Sequence, residues 1–98
     1  MVPASVSPSV LTLLITRGDA MLATGDVSGA RLMYQRAAKA NSAQAAMGMG
    51  KTYDPKFLTR ISAQGIAADP KQARVWYQRA ADMGNPEATR LLAELPRK

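Results

Sequence analysis

Ala30-Arg-Leu-Met-Tyr-Gln-Arg-Ala-Ala38 and Ala73-Arg-Val-Trp-Tyr-Gln-Arg-Ala-Ala81 are one nine-residue segment written twice, 43 residues apart. Seven of the nine positions are identical, and the two that differ, Leu32/Val75 and Met33/Trp76, are apolar in both copies. Self-similarity at this period marks stacked supersecondary units, each too small to bury its own apolar face. The spacing within each copy is helical. Ala30, Tyr34 and Ala37 fall at i, i+4 and i+7, as do Ala73, Tyr77 and Ala80, so each set forms one stripe. Small alanines at the ends of the stripe let another helix come close, and the tyrosine fills the gap between them. Arg31 and Arg74 sit beside that stripe.

Helix punctuation extends the pattern in both directions. A polar residue followed by proline occurs at Ser7-Pro8, Asp54-Pro55, Asp69-Pro70 and Asn85-Pro86. In each, the first residue can cap a helix and the proline fits the first turn, where its missing N–H costs nothing. Asp26 and Asn41-Ser42 are caps without proline, and Gly84 reads as a helix stop. The map is helices at about 8–24, 27–40, 43–53, 70–83 and 86–95, with a short helical turn at about 55–62 and a loop through Gly65. Val, Ile and Thr never alternate over a run long enough for a strand. The expected fold is all-α. Two antiparallel helix-turn-helix repeats, at about 8–40 and 43–83, and a closing helix at about 85–95 form a short α-solenoid, a single domain over 1–98. An extra helical insert, 54–64, interrupts the second repeat. The closing helix places Ala88, Leu91, Leu92 and Leu95 on one face.

Composition sets the limits on chemistry. Apolar residues make up 47% of 98 residues, enough for a core, but aromatics are only 5%. A core of Ala, Leu and Met implies closely approaching helices. Cysteine and histidine are absent, which removes disulfides, thiolate nucleophiles, imidazole bases and ordinary zinc sites together. No cofactor is expected. The apolar run Val10-Leu-Thr-Leu-Leu-Ile15 is too short to span a membrane, and no Lys or Arg precedes it as in a secretory signal. The net charge of +6 and pI near 10.2 favour acidic partners. The cations are scattered singly, however, with no run longer than Arg97-Lys98.

At these residues the chain resembles the Sel-one-like branch of the tetratricopeptide repeat superfamily. Met49-Gly-Lys-Thr-Tyr53 is similar to that branch's Leu-Gly-x-x-Tyr. Gly65-Ile66, then Asp69-Pro-Lys-Gln-Ala-Arg-Val-Trp-Tyr-Gln-Arg-Ala-Ala81, looks like its Gly-Val-x-x-Asp stretch and Ala-x-x-Trp-Tyr-x-x-Ala-Ala helix, and Gly84-Asn-Pro-Glu-Ala88 matches its closing segment. The first copy, with Gly18, Gly25-Asp26, Ala30, Tyr34 and Ala37, looks closer to a plain tetratricopeptide repeat. The eleven residues between Tyr53 and Gly65 depart from the family, as a fold-back helix over apolar surface or a contact site. The resemblance implies a scaffold that holds another protein or peptide on a curved helical surface, within a longer bacterial protein, cytoplasmic or periplasmic. It further implies a groove lined by the first helix of each pair. With Gly18 matched to Gly50, the candidates are Ile15, Asp19 and Leu22 from the first pair and Gln44, Met47 and Lys51 from the second. Gly18, Gly50 and Tyr53 join the two alanine–tyrosine stripes as repeat core.

Other motifs carry less. Gly48-Met-Gly-Lys-Thr52 resembles the end of a phosphate-binding loop, but the full pattern needs glycine where Ala45 stands and a strand where Ser42-Ala-Gln-Ala-Ala46 reads as a helix start. Gly48 and Gly50 are better read as permitting close helix contact. The seven carboxylates sit mostly at caps or exposed turns, Asp19 excepted, and no convergent acid–base pair is expected. The chain is therefore not expected to be an enzyme. A nucleic-acid interface is disfavoured, since cations do not cluster on a recognition helix and no aromatic platform interleaves them. Trp76, at a helix edge, is a further candidate for partner contact. The competing reading is self-association, with Leu13, Phe57, Leu58 and Ile61 buried in a homodimer.

Overall fold

The computed structural model describes residues 7–96; Arg97-Lys98 and the first six residues lie outside the described residues. Helices α1 (Pro8–Ala23), α2 (Val27–Ala38), α3 (Ala43–Lys51), α4 (Pro55–Arg60), α5 (Pro70–Asp82) and α6 (Pro86–Glu94) follow one another, with no strand among the described residues. The fold is all-α.

Each helix begins where a side-chain oxygen can take a free backbone N–H. Ser7 Oγ accepts from Val10 N, Asp26 Oδ1 from Gly29 N and Ser42 Oγ from Ala45 N. Asp54 Oδ1 accepts from Lys56 N, Asp69 Oδ1 from Gln72 N, and Asn85 Oδ1 from both Glu87 N and Ala88 N. Proline follows the cap in α1, α4, α5 and α6. All six starts coincide with the caps read from the sequence. The connections also repeat at the 43-residue offset. Asn41 (φ 56) precedes the Ser42 cap and Gly84 (φ 95) precedes the Asn85 cap. A left-handed residue thus turns the chain out of each second helix, which glycine does freely and asparagine at small cost.

Neighbours pack in the order α1 on α2, α2 on α3, α3 on α5 and α5 on α6, with α1 also touching α3. The result is an elongated stack of 41 × 28 × 19 Å. Three apolar clusters run along it. Leu14, Ile15, Ala37 and Ala45 form the first, and Leu22, Val27, Ala30, Tyr34, Met49 and Leu58 the second. The third takes Ala46, Met47, Ala73, Tyr77 and Ala80 together with Ala88, Leu91 and Leu95 of α6.

The two tyrosines act as wedges. Tyr34 and Tyr77 are wholly buried, and each ring lies where a neighbouring helix has no side chain. A Cβ on Gly18 would come 2.7 Å from Tyr34 Cε1, and one on Gly48 2.6 Å from the same atom. A Cβ on Gly50 would overlap the Tyr77 ring. Helix α3 therefore accepts one ring through Gly48 and the other through Gly50, which lets α2 and α5 both close on it. The glycines of Gly48-Met-Gly-Lys-Thr52 serve this contact, and their segment is helical through Lys51.

The insert folds back rather than projecting. Leu58 is buried in the second cluster, with Phe57, Ile61 and Ala63 half-buried against it. The Asp69 N–H donates to Tyr53 O at 2.8 Å, so the chain leaves and rejoins the repeat at one point. A loop pinched at its base adds length at little entropic cost. Leu58 is thus part of the protomer's own core and is not available to a homodimer.

Candidate functional site

The first helices of the pairs, α1 and α3, and the closing helix α6 share one groove of about 650 Å³. Asp19 enters from α1, Gln44, Met47, Gly48 and Lys51 from α3, and Pro86 and Glu87 from the start of α6. The Tyr34 hydroxyl reaches it from behind and donates to Asp19 Oδ1 at 2.5 Å. Asp19 is the one aspartate that does not sit at a helix end. It takes the hydroxyl of a buried ring while standing at the edge of the groove.

The second repeat uses a different acceptor. Tyr77 donates its hydroxyl to Asp54 Oδ2 at 2.8 Å, and Asp54, 5% exposed, also caps α4 through Oδ1. Burial, reinforced by the hydrogen bond to a carboxylate and by that carboxylate's charge, raises the pKa of both phenols well above the ordinary tyrosine value. Both hydroxyls stay protonated and serve as fixed donors. Asp54 could not be matched to Asp19 by repeat register, because it lies four residues past Gly50 whereas Asp19 lies one past Gly18.

Of the residues expected in the groove, Asp19, Gln44, Met47 and Lys51 line it together. Ile15 and Leu22 do not. They are 7% and 6% exposed and belong to the core clusters. With Gly18 they form the stripe that faces inward, and Asp19, one residue and about 100° on, turns toward the groove. Trp76 lies elsewhere. Its ring is half-buried between two core clusters, with the Arg79 guanidinium 4.6 Å from its centroid. It lines a second groove between α2 and α5.

The repeated arginines have a role that the repeat alone did not disclose. Arg31 donates through Nε to Thr52 Oγ1 at 3.1 Å and through a terminal nitrogen to Thr52 O at 2.7 Å, and it stacks 3.9 Å from the centroid of Tyr53. Its counterpart Arg74 donates to Pro96 O at 2.6 Å. Each arginine thus clasps a carbonyl just past the end of the next first-position helix, α3 or α6. Carbonyls there lack intrahelical donors and carry the negative end of the helix dipole. The signal was present in the sequence as an identity at both copies, but only geometry assigns the acceptor.

The groove is electrically mixed, with Asp19 and Glu87 against Lys51. The three ion pairs among the described residues gather at α4 and α6: Lys56–Glu94, Arg90–Glu87 and Arg90–Glu94. The hydrogen bond from Lys56 holds the Glu94 carboxyl below the usual range. Among the described residues no group of three His, Cys, Asp or Glu side chains converges as a metal site, and no helix is long and apolar enough to cross a membrane. The sequence matches no family model, no curated protein and no solved structure.

Proposed function

We propose that this chain is a protein-binding helical-repeat module, of the Sel-one-like kind that its motifs resemble, and that the groove shared by α1, α3 and α6 seats a segment of a partner protein. The observation that carries this reading is the convergence of Asp19, Gln44, Met47 and Lys51 in one groove. A carboxylate, an amide and an ammonium can hold the polar groups of a peptide backbone and its side chains, while Met47 offers an apolar contact beside them. The buried Tyr34 fixes Asp19 from behind, so part of the site is ordered before any partner arrives. A scaffold role also fits the use of Asp26, Asp54 and Asp69 as helix caps.

The test is photo-crosslinking in cells of the source organism from a benzophenone side chain at position 44, with position 28 on the outer face of α2 as control. Crosslinks to a distinct protein from position 44 that disappear in Asp19→Lys with Lys51→Glu are expected. Equal yield from both positions would sink the reading. A second reading, self-association, is favoured by Val10 and Leu13, 45% and 49% exposed on α1. Light scattering over a hundredfold concentration range decides it: a constant monomer mass removes that reading.

A further inference from the structure

The groove at Asp19 sets one cation, Lys51, against two carboxylates, Asp19 and Glu87, whereas a surface lined by cations alone lies between α2 and α5. A groove of about 530 Å³ runs between α2 and α5 and shares no lining residue with the one at Asp19. Leu32 and Trp76 supply its apolar surface, and Arg36, Lys39 and Arg79 supply cations. No carboxylate lines it, and none of these three cations enters an ion pair among the described residues. Leu32 is 59% exposed, the most exposed large apolar side chain in the described chain. An apolar strip walled by unopposed cations is costly to leave facing water and favourable to cover with a surface of opposite charge.

We infer that this α2–α5 groove is a second docking surface, whose occupant is an acidic amphipathic segment of a protein. Charge complementarity fixes the sign, since three cations without a counter-ion select carboxylates. The concave shape and the Leu32–Trp76 floor fix the class. Apolar side chains interleaved with carboxylates fill both parts of such a groove, as in helix-in-groove recognition. Nucleic acid is the poorer fit because Arg79 covers one face of the indole while the ring packs on the core, so no whole face is free for a base to stack on, whereas an apolar side chain needs only the part of the ring that lines the groove. An anionic bilayer is flat, and would reach the rim cations without filling the floor between the helices.

Trp76 is the single tryptophan of the chain, so its emission reports this groove directly. The probe is a dye-free synthetic helix of about 16 residues with glutamates on one face and leucines on the other. Its partners in the experiment are the same helix with lysine for every glutamate, a single-stranded oligonucleotide, and phosphatidylserine vesicles. The acidic helix is expected to shift Trp76 emission to shorter wavelength, and its lysine version to leave it unmoved. Arg36→Glu with Lys39→Glu, and separately Leu32→Ser, should each weaken binding about tenfold or more. All three positions are exposed, and an unchanged circular-dichroism spectrum checks the fold. Arg17→Glu, which lines neither groove, should stay within about twofold. The inference is overturned by no emission shift with the acidic helix, by equal binding of the lysine helix, or by preference for oligonucleotide or vesicles. An Arg17→Glu loss as large as that of the Arg36→Glu, Lys39→Glu double variant would likewise overturn it. Because neither Asp19 nor Lys51 takes part, this result stands or falls independently of the crosslinks from position 44.

Discussion

At the residue scale, the two wedge tyrosines differ in what they leave behind when altered. Tyr77→Phe strands Asp54, a buried carboxylate that would keep its cap but lose its hydroxyl partner, and is expected to cost about 1–3 kcal/mol. Tyr34→Phe strands only Asp19, which water can reach, and should cost less than about 1 kcal/mol. Denaturant titration that ranks them in the other order contradicts the geometry. Truncation of either ring to alanine should cost about 3–5 kcal/mol. Gly50→Ala gains helix propensity but drives a methyl into the locked Tyr77 ring, for a net loss of about 1–3 kcal/mol. The raised pKa of both phenols sets a pH dependence. Unfolded tyrosines ionise near 10.0, whereas the folded hydroxyls keep their protons above that. The native state then binds more protons than the unfolded one, so stability is complete below pH 10 and falls above it. The slope is about 1.4 kcal/mol per pH unit for each tyrosine. Unfolding followed between pH 9 and 11.5 should show the decline, and the Tyr34→Phe, Tyr77→Phe double variant should flatten it. The tyrosine stripe was legible because an aromatic flanked by alanines at helical spacing has one packing solution. Its hydrogen-bond acceptors were not, since 15 and 23 residues separate each pair.

At the scale of elements, the arginine clasps tie each second helix to the helix that follows it. Arg31→Met should cost about 1–3 kcal/mol, because it strips the donors from a wholly buried Thr52 and its carbonyl and also removes the stacking on Tyr53. Arg74→Met loses one bond to a solvent-facing carbonyl and should cost less than about 1 kcal/mol. Equal costs, measured by thermal unfolding, would mean that the clasps are incidental. Helix starts were readable to the residue, since Ser, Asp and Asn are the favoured caps and proline follows the cap in α1, α4, α5 and α6. The placement of Ile15 and Leu22 was not. Groove and core lie one residue apart on α1, and a register carried across from α3 could not resolve a step that small. The insert left its alternatives open in the sequence for a related reason. Phe57, Leu58 and Ile61 announce an apolar face, but what covers it depends on how Met49 of α3 and the distant Leu22 of α1 are brought together.

At the scale of the whole molecule, stability depends on the closing helix. Ala88, Leu91 and Leu95 complete the cluster around Tyr77, so ending the chain at Gly84 would open that cluster to water. Such a truncation is expected to lose cooperative unfolding and to bind hydrophobic dyes, as stacked repeats do when an end is uncapped. A truncated chain with a sharp transition at the original temperature would refute this. The all-helical fold was legible from the repeated stripes and the helix caps, because alanine and tyrosine at i, i+4 and i+7 fit no strand. The split of surface chemistry between two grooves was not. Net charge is a sum over the chain, and only the arrangement of α2 and α5 gathers cations in one place.

The turn residues and the clasping arginines recur at one offset, and this has a consequence for growth. Residues 42–84 begin at a helix cap and end on a left-handed glycine, the same junction that Asn41 and Ser42 make upstream. A gene carrying that segment in tandem would encode its own seams: each added unit presents Gly48 and Gly50 to rings on either side, and a Thr52 carbonyl to the preceding arginine. Lengthening the chain in this way would join Gly84 to a Ser42 cap, a seam of the same kind as the two junctions already present.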